Sequence, residues 1–170
     1  SAFFPKLTSA LRDSASVTSM VFAIIVGASI FSFFIVSAGV PNDLARWMIS
    51  FDLPPRLLVL LLLLSLIPLG MFLDGISILL ITVPLFYPVV VSELGFNGIW
   101  YAVLTVKMIE LGLITPPIGI NVFIVAGLVD GPPVEEVFAN ITIFIFLDLI
   151  IFLILFSFPD IVTWLPARIY

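Results

Sequence analysis

The sequence predicts an all-α membrane protein: transmembrane helices, plus a re-entrant helical hairpin and a broken helix. Two observations carry that prediction. Hydrophobic residues make up 62% of the 170 residues and charged residues 10%, against roughly 45–50% and about 25% in soluble globular domains. A soluble fold of this length leaves about a third of its unfolded surface wet, so it has nowhere to hide so much apolar area. The mean hydropathy of +1.36 agrees. The second observation is that long uncharged runs are cut by proline and glycine where a plain span would continue. In lipid, backbone groups freed by such cuts need protein or water-lined surroundings.

Composition also excludes. With no Cys and no His, disulfides, thiolate or imidazole metal sites, haem ligation by those residues and Cys–His or Ser–His catalysis drop out. No Gly-rich loop leads into a lysine, which removes a P-loop ATPase. The net charge is −5 without a basic cluster, so no nucleic-acid partner is expected. The first sixteen residues are mixed polar and the following run is too long for a signal-peptide core.

The elements follow in order. Residues 1–16 carry Lys6, Arg12 and Asp13, and Leu7, Ala10, Leu11 and Ala15 fit an amphipathic lead-in; a solvated lead-in fits equally well. Residues 17–56 hold the first transmembrane helix and a polar connection. The stretch 14–42 is uncharged, longer than the ~20 residues a crossing needs. Gly27, Ala28, Ser29 and Ser32 suit close packing against another helix. Trp47 suits headgroup depth. Residues 57–98 hold a second transmembrane helix with Pro68 inside it, then a segment cut by Pro84 and Pro88. That segment reads as a broken or short helix packed inside protein.

Residues 99–133 read as the re-entrant hairpin with a Thr-Pro-Pro tip, or as one discontinuous helix, closed by an exit at Asp130-Gly131-Pro132-Pro133. Residues 134–170 hold the last transmembrane helix, with Asp148 inside it, and an interfacial tail. Trp47, Trp100, Trp164 and Tyr170 fit an aromatic belt. Lys and Arg are spread too evenly to fix orientation.

Chemistry has few places to sit. At the Thr-Pro-Pro centre an unwound backbone supplies carbonyls, Thr115 a hydroxyl and Asn121 an amide oxygen, which suits a hard cation such as Na⁺. The second arm begins at Pro117-Ile118-Gly119. Its positive dipole end favours a carboxylate. An ordinary proline kink is the competing reading. Asp74 lies between two apolar runs, as a cation or proton site or as a cap on the helix from Gly75. Lys107 and Glu110, at i,i+3, form a structural ion pair. Asp148 either pairs with Lys107 or faces a cavity.

The run Lys107-Met108-Ile109-Glu110-Leu111-Gly112-Leu113-Ile114-Thr115-Pro116-Pro117-Ile118-Gly119-Ile120-Asn121-Val122-Phe123 resembles the hallmark of the large membrane subunit of TRAP transporters, the DctM family. Gly70-Met71-Phe72-Leu73-Asp74 resembles that family's Gly-x-x-x-Asp helix end. The stretches Glu93-Leu94-Gly95-Phe96-Asn97-Gly98-Ile99-Trp100, Phe158-Pro159 and Trp164-Leu165-Pro166 resemble its later motifs, in the same order.

The resemblance implies one repeat of an inverted-repeat, elevator-type secondary transporter, multi-pass in a bacterial or archaeal inner membrane. It implies a non-enzyme without a resident cofactor, importing organic acids of the C4-dicarboxylate, sialic acid or keto-acid type on a Na⁺ gradient. Its partners would be a periplasmic substrate-binding protein, a small four-helix membrane subunit and the lipid bilayer. Carried over by position, Asp74, Gly112 and Thr115 belong to a Na⁺ site. Pro117, Ile118, Gly119 and Asn121 face the substrate.

The departure is length. The family's large subunit is more than twice as long, and its N-terminal hairpin, of the type Gly-x-x-Thr-Pro-Thr-Glu, has no counterpart here. The sequence resembles the C-terminal half, and without an initiator Met it reads as a fragment or split gene whose N-terminal half is a missing partner. The alternatives are a non-transporting assembly remnant and an intramembrane aspartyl hydrolase using Asp74 and Asp148. The lack of Gly-x-Gly-Asp speaks against the hydrolase.

Overall fold

The computed structural model describes residues 3–128 and 133–169. The expected exit at Asp130-Gly131-Pro132 and the belt residue Tyr170 lie outside them. Among the described residues helix is the only regular secondary structure, with no strand.

Helix α1 (Phe3–Ser37) runs 35 residues without interruption. The lead-in and the first span are therefore one helix, because no Pro or Gly stands between residues 6 and 26 to divide them. At 1.5 Å per residue it is about 50 Å long, well beyond a ~30 Å hydrocarbon core. Gly39, at φ 75°, turns the chain into α2 (Val40–Ile49). The polar connection is thus itself a helix. It buries Pro41, Ala45 and Met48 on one face and leaves Asp43, Arg46 and Trp47 exposed. A single face of three residues is too short a pattern to stand out in sequence.

Helix α3 (Pro55–Phe72) buries Leu58, Val59, Leu62, Leu63, Leu66 and Gly70. The spacing of three and four residues gives one face, and that face packs on α5 (Gly98–Ile114). Between them lies α4 (Gly75–Tyr87), which passes directly into a π-helical turn, Pro88–Glu93. Gly75–Glu93 is therefore one helical run of 19 residues, long enough to cross. The expected break does not occur. Pro84 is carried inside the helix, and the chain widens at Pro88 so that the Leu94 amide donates to the Val89 carbonyl, five residues back, at 3.0 Å. Widening accommodates the proline ring without ending the helix. Nor is α4 wholly enclosed, since Ile78 and Thr82 are its only fully buried residues.

Helix α5 is the centre of the fold. Trp100, Tyr101, Leu104, Met108, Ile109 and Leu111 are buried, and α3, α4 and α7 (Val134–Ser157) all pack on it. Its start is capped by Asn97, whose Oδ1 accepts from the Ile99 and Trp100 amides at 2.9 and 3.1 Å. After a non-helical break comes α6 (Ile120–Leu128), with 9 residues. The tail holds α8 (Asp160–Thr163) and α9 (Pro166–Ile169). Among the described residues four helical runs are long and apolar enough to cross a membrane: α1, α3, Gly75–Glu93 and α7. The chain is an all-α membrane protein.

Candidate functional site

The candidate residues gather where α3 and α5 cross. The crossing point is glycine on glycine. A Cβ at Gly112 would lie 2.7 Å from the Ile67 carbonyl oxygen and 2.8 Å from the Gly70 Cα. Only Gly lets two helix backbones approach this closely. Each glycine stands three residues before the C-cap of its helix, Gly70 before Leu73 and Gly112 before Thr115. The crossing therefore brings two helix ends side by side. Gly112 acts in this structure through backbone packing.

At the first end the chain turns through Leu73 into α4, and Asp74 is the cap. Its Oδ1 accepts from the Ile76 amide at 3.1 Å and the Ser77 amide at 3.0 Å, and its Oδ2 accepts from the Ser77 hydroxyl. These bonds, the Ser77 hydroxyl foremost, hold the Asp74 carboxyl below its ordinary range. The capping role proposed from Gly75 is thus present, and Ser77 was the missed partner. Its signal was the Asp-x-x-Ser spacing at a helix start. A cavity of about 350 Å³ opens beside Asp74 and is shared with Ile109, Glu110 and Leu113 of α5.

At the second end Thr115 leaves the helix with φ −86° and ψ 135°. Its hydroxyl donates to the Leu111 carbonyl and its amide to the Gly112 carbonyl. The Pro116–Pro117 peptide is cis, and Gly119 is buried with φ 55°. The Val122 and Phe123 amides donate to the Gly119 carbonyl at 2.8 and 3.4 Å. That leaves Ile120 and Asn121, at the start of α6, without an intrahelical acceptor. Pro117 carries no N–H, so it has no amide to offer an anion. The donors of this turn are the backbones of Ile118 to Asn121. The Asn121 side chain is exposed. The lining of the Asp74 cavity includes Leu113 of α5 but not Thr115.

Lys107 reaches two carboxylates. Its Nζ is 2.6 Å from Asp148 Oδ1 on α7 and 3.5 Å from Glu110 Oε2. The Lys107–Glu110 pair is present, but the closer partner is across the helix interface. Asp74 and Asp148 thus have separate partners, which is not the shared arrangement that a hydrolytic dyad needs.

The fold and its paired helix ends define a polytopic, all-α membrane protein with a helix interrupted near its centre. Residues 3–161 match the DctM component of the tripartite ATP-independent periplasmic transporters, and the chain belongs to that family. It is similar to the C4-dicarboxylate TRAP transporter large permease protein DctM of Pseudomonas aeruginosa, 32% identical over 157 residues that cover 92% of this chain and 35% of the relative. It is also similar to the sialic acid TRAP transporter large permease protein SiaM of Vibrio cholerae, 28% identical over 122 residues, covering 72% and 28%. The 2,3-diketo-L-gulonate TRAP transporter large permease protein YiaN of Escherichia coli is 30% identical over 162 residues, covering 87% and 37%. The chain spans about a third of the length of the first of these curated relatives. These relatives are named as transporter permease proteins.

Proposed function

We propose that the chain supplies one half of the ion and substrate site of a membrane carrier that imports organic acids, of the C4-dicarboxylate, sialic acid or keto-acid type, on a Na⁺ gradient. The observation that supports this most is the break from Thr115 to Gly119. It offers carbonyl and hydroxyl oxygens to a cation and, one turn on, the amides of Ile120 and Asn121, without partners among the described residues, to a carboxylate. Asp74 would add a carboxylate oxygen from the neighbouring helix end, its capping bonds leaving lone pairs unused. The remaining ligands would come from the rest of the carrier. A periplasmic substrate-binding protein would deliver the acid, a small membrane subunit would brace the carrier, and the assembly would lie in the inner membrane.

The test uses the complete carrier, reconstituted with both partners. Uptake of succinate, sialic acid and a keto acid is measured with and without an inward Na⁺ gradient. The Thr115→Ala and Asp74→Asn variants should lose Na⁺-dependent uptake while assembling normally. Unchanged sodium dependence in both would overturn the site. Uptake that stays absent in the complete wild-type assembly would favour a non-transporting assembly role.

A further inference from the structure

Helix α7 touches the chain on both sides of the break, and this has a consequence for Asp148. On the α5 side there are two polar attachments. Lys107 Nζ donates to Asp148 Oδ1 at 2.6 Å, and Trp100 Nε1 donates to the Leu155 carbonyl at 2.9 Å. The two are seven residues apart on both helices, so they share one antiparallel register about 10 Å long. Trp100 also meets the Phe156 ring at 5.5 Å between centroids. On the α6 side the attachments are apolar. The Phe123 and Phe138 rings meet edge to face at 6.2 Å, and a Cβ at Gly119 would lie 3.0 Å from the Phe138 ring.

Phe138 and Asp148 are ten residues apart on one continuous helix, about 15 Å. Helix α7 is therefore a strut fixed to α6 at one point and to α5 at another. Of the non-helical residues between them, Thr115 is tied back to α5 through Leu111 and Gly112, and Gly119 rests on the Phe138 ring of the strut itself. The Lys107–Asp148 pair is also the costly part of the strut. Both side chains are about three-quarters buried, at 24% and 21% exposure, and Glu110 shares the lysine from 3.5 Å. An apolar pair of similar volume would avoid that desolvation penalty, so what the ion pair adds is the directed geometry of its contact.

The geometry points to Asp148 as a positioning residue: acting through Lys107, it fixes the angle across the Thr115–Gly119 break and so the spacing of the candidate cation and acid ligands. This rests on reading the break as the site.

The test reads geometry and transport separately, in the complete carrier on a cysteine-free background. Spin labels at Val103 on α5 and Val125 on α6, both exposed, report the distance across the break. Asp148→Asn should shift or broaden that distance. It should also weaken half-saturation by Na⁺ roughly tenfold to a hundredfold, with a smaller change in maximal rate. Asp148→Glu should retain most of both. The exchanged pair Lys107→Asp with Asp148→Lys should restore part of both.

The double variant Lys107→Met with Asp148→Leu removes both charges at similar volume and keeps the helices packed, so it guards against a simple failure to fold. It should still broaden the distance. An unchanged distance in Asp148→Asn and in the double variant overturns the inference. A distance that moves while Na⁺ activation stays put upholds the positioning role and overturns the reading of the break as a cation site.

Discussion

Between α3 and α4 the chain turns at Leu73 and Asp74; between α5 and α6 it turns from Thr115 to Gly119. The two turns lie side by side because Gly70 and Gly112 let their helices touch backbone to backbone. They treat the same problem differently. The first satisfies its open amides from within, through the Asp74 carboxylate and Ser77. The second spends its residues on shape, with two prolines and a glycine at positive φ, and provides no side-chain cap for Ile120 and Asn121. A helix end that is already satisfied has a structural reason to exist. One left open in an apolar protein invites a ligand. The contrast teaches where to look for binding: at the turn whose following amides, Ile120 and Asn121, lack partners among the described residues.

The largest expected effect comes from separating the two turns. Gly112→Leu drives a side chain into the Ile67 carbonyl and the Gly70 backbone, and the carrier should fail to accumulate in the membrane. Gly112→Ala should fold but lose about 1–3 kcal/mol, the usual cost of overpacking, read as a lower thermal unfolding midpoint in detergent. Gly27→Ala is the control. A Cβ there meets nothing within 4 Å, so the midpoint should hold or rise. Equal tolerance at residues 27 and 112 would mean the crossing does not set the site.

The next effect sharpens the contrast between a satisfied turn and an open one. Gly119→Ala puts a side chain at φ 55° and against the Phe138 ring. The left-handed backbone alone costs about 1–2 kcal/mol. The proposed function adds a loss of Na⁺ activation, because the amides that follow would be re-aimed. At the satisfied turn, Asp74→Ala should cost about 1 kcal/mol as a lost cap. Asp74→Asn keeps an oxygen for the cap and should fall only slightly below wild-type stability at neutral pH, by the small contribution of the carboxylate charge. Activity separates the two roles of Asp74: an Asn variant that is stable but insensitive to Na⁺ makes it a ligand as well as a cap.

Much of this was legible in the sequence, for reasons that differ by element. The spans show because uncharged length is a direct read-out of bilayer thickness. The break at Thr115 shows because Pro-Pro between glycines is chemically conspicuous. Helix α2 was hidden because three buried residues in ten make too short a period. The continuous run Gly75–Glu93 was hidden because proline in water ends helices, and the π-helical accommodation at Pro88 depends on tertiary packing. The Gly70–Gly112 contact is a three-dimensional fact between residues 42 positions apart that no local pattern announces. The Lys107–Asp148 pair is one of two readings the sequence leaves open for Asp148, and only the fold, joining residues 41 positions apart, decides it and makes Asp148 nearer than Glu110.

The smallest effect concerns acid. Folding gives the Asp74 carboxylate the Ser77 hydroxyl and amide bonds, with the Ile76 amide behind them, and so holds its acidity below the ordinary value of 3.8. A carboxyl that binds its proton less tightly folded than unfolded contributes stability above the unfolded value, and that contribution is lost as pH falls through the lower folded value. Below about pH 4 the wild-type carrier should therefore lose unfolding midpoint faster than Asp74→Asn, whose cap does not titrate. Solvent screening at this exposed corner keeps the difference small. Ser77→Ala should shrink it further, since the hydroxyl is the main cause of the shift. Superimposable acid curves for wild type and Asp74→Asn would show that the carboxylate charge contributes nothing to this turn, and the distinction between the two helix ends would then rest on shape alone.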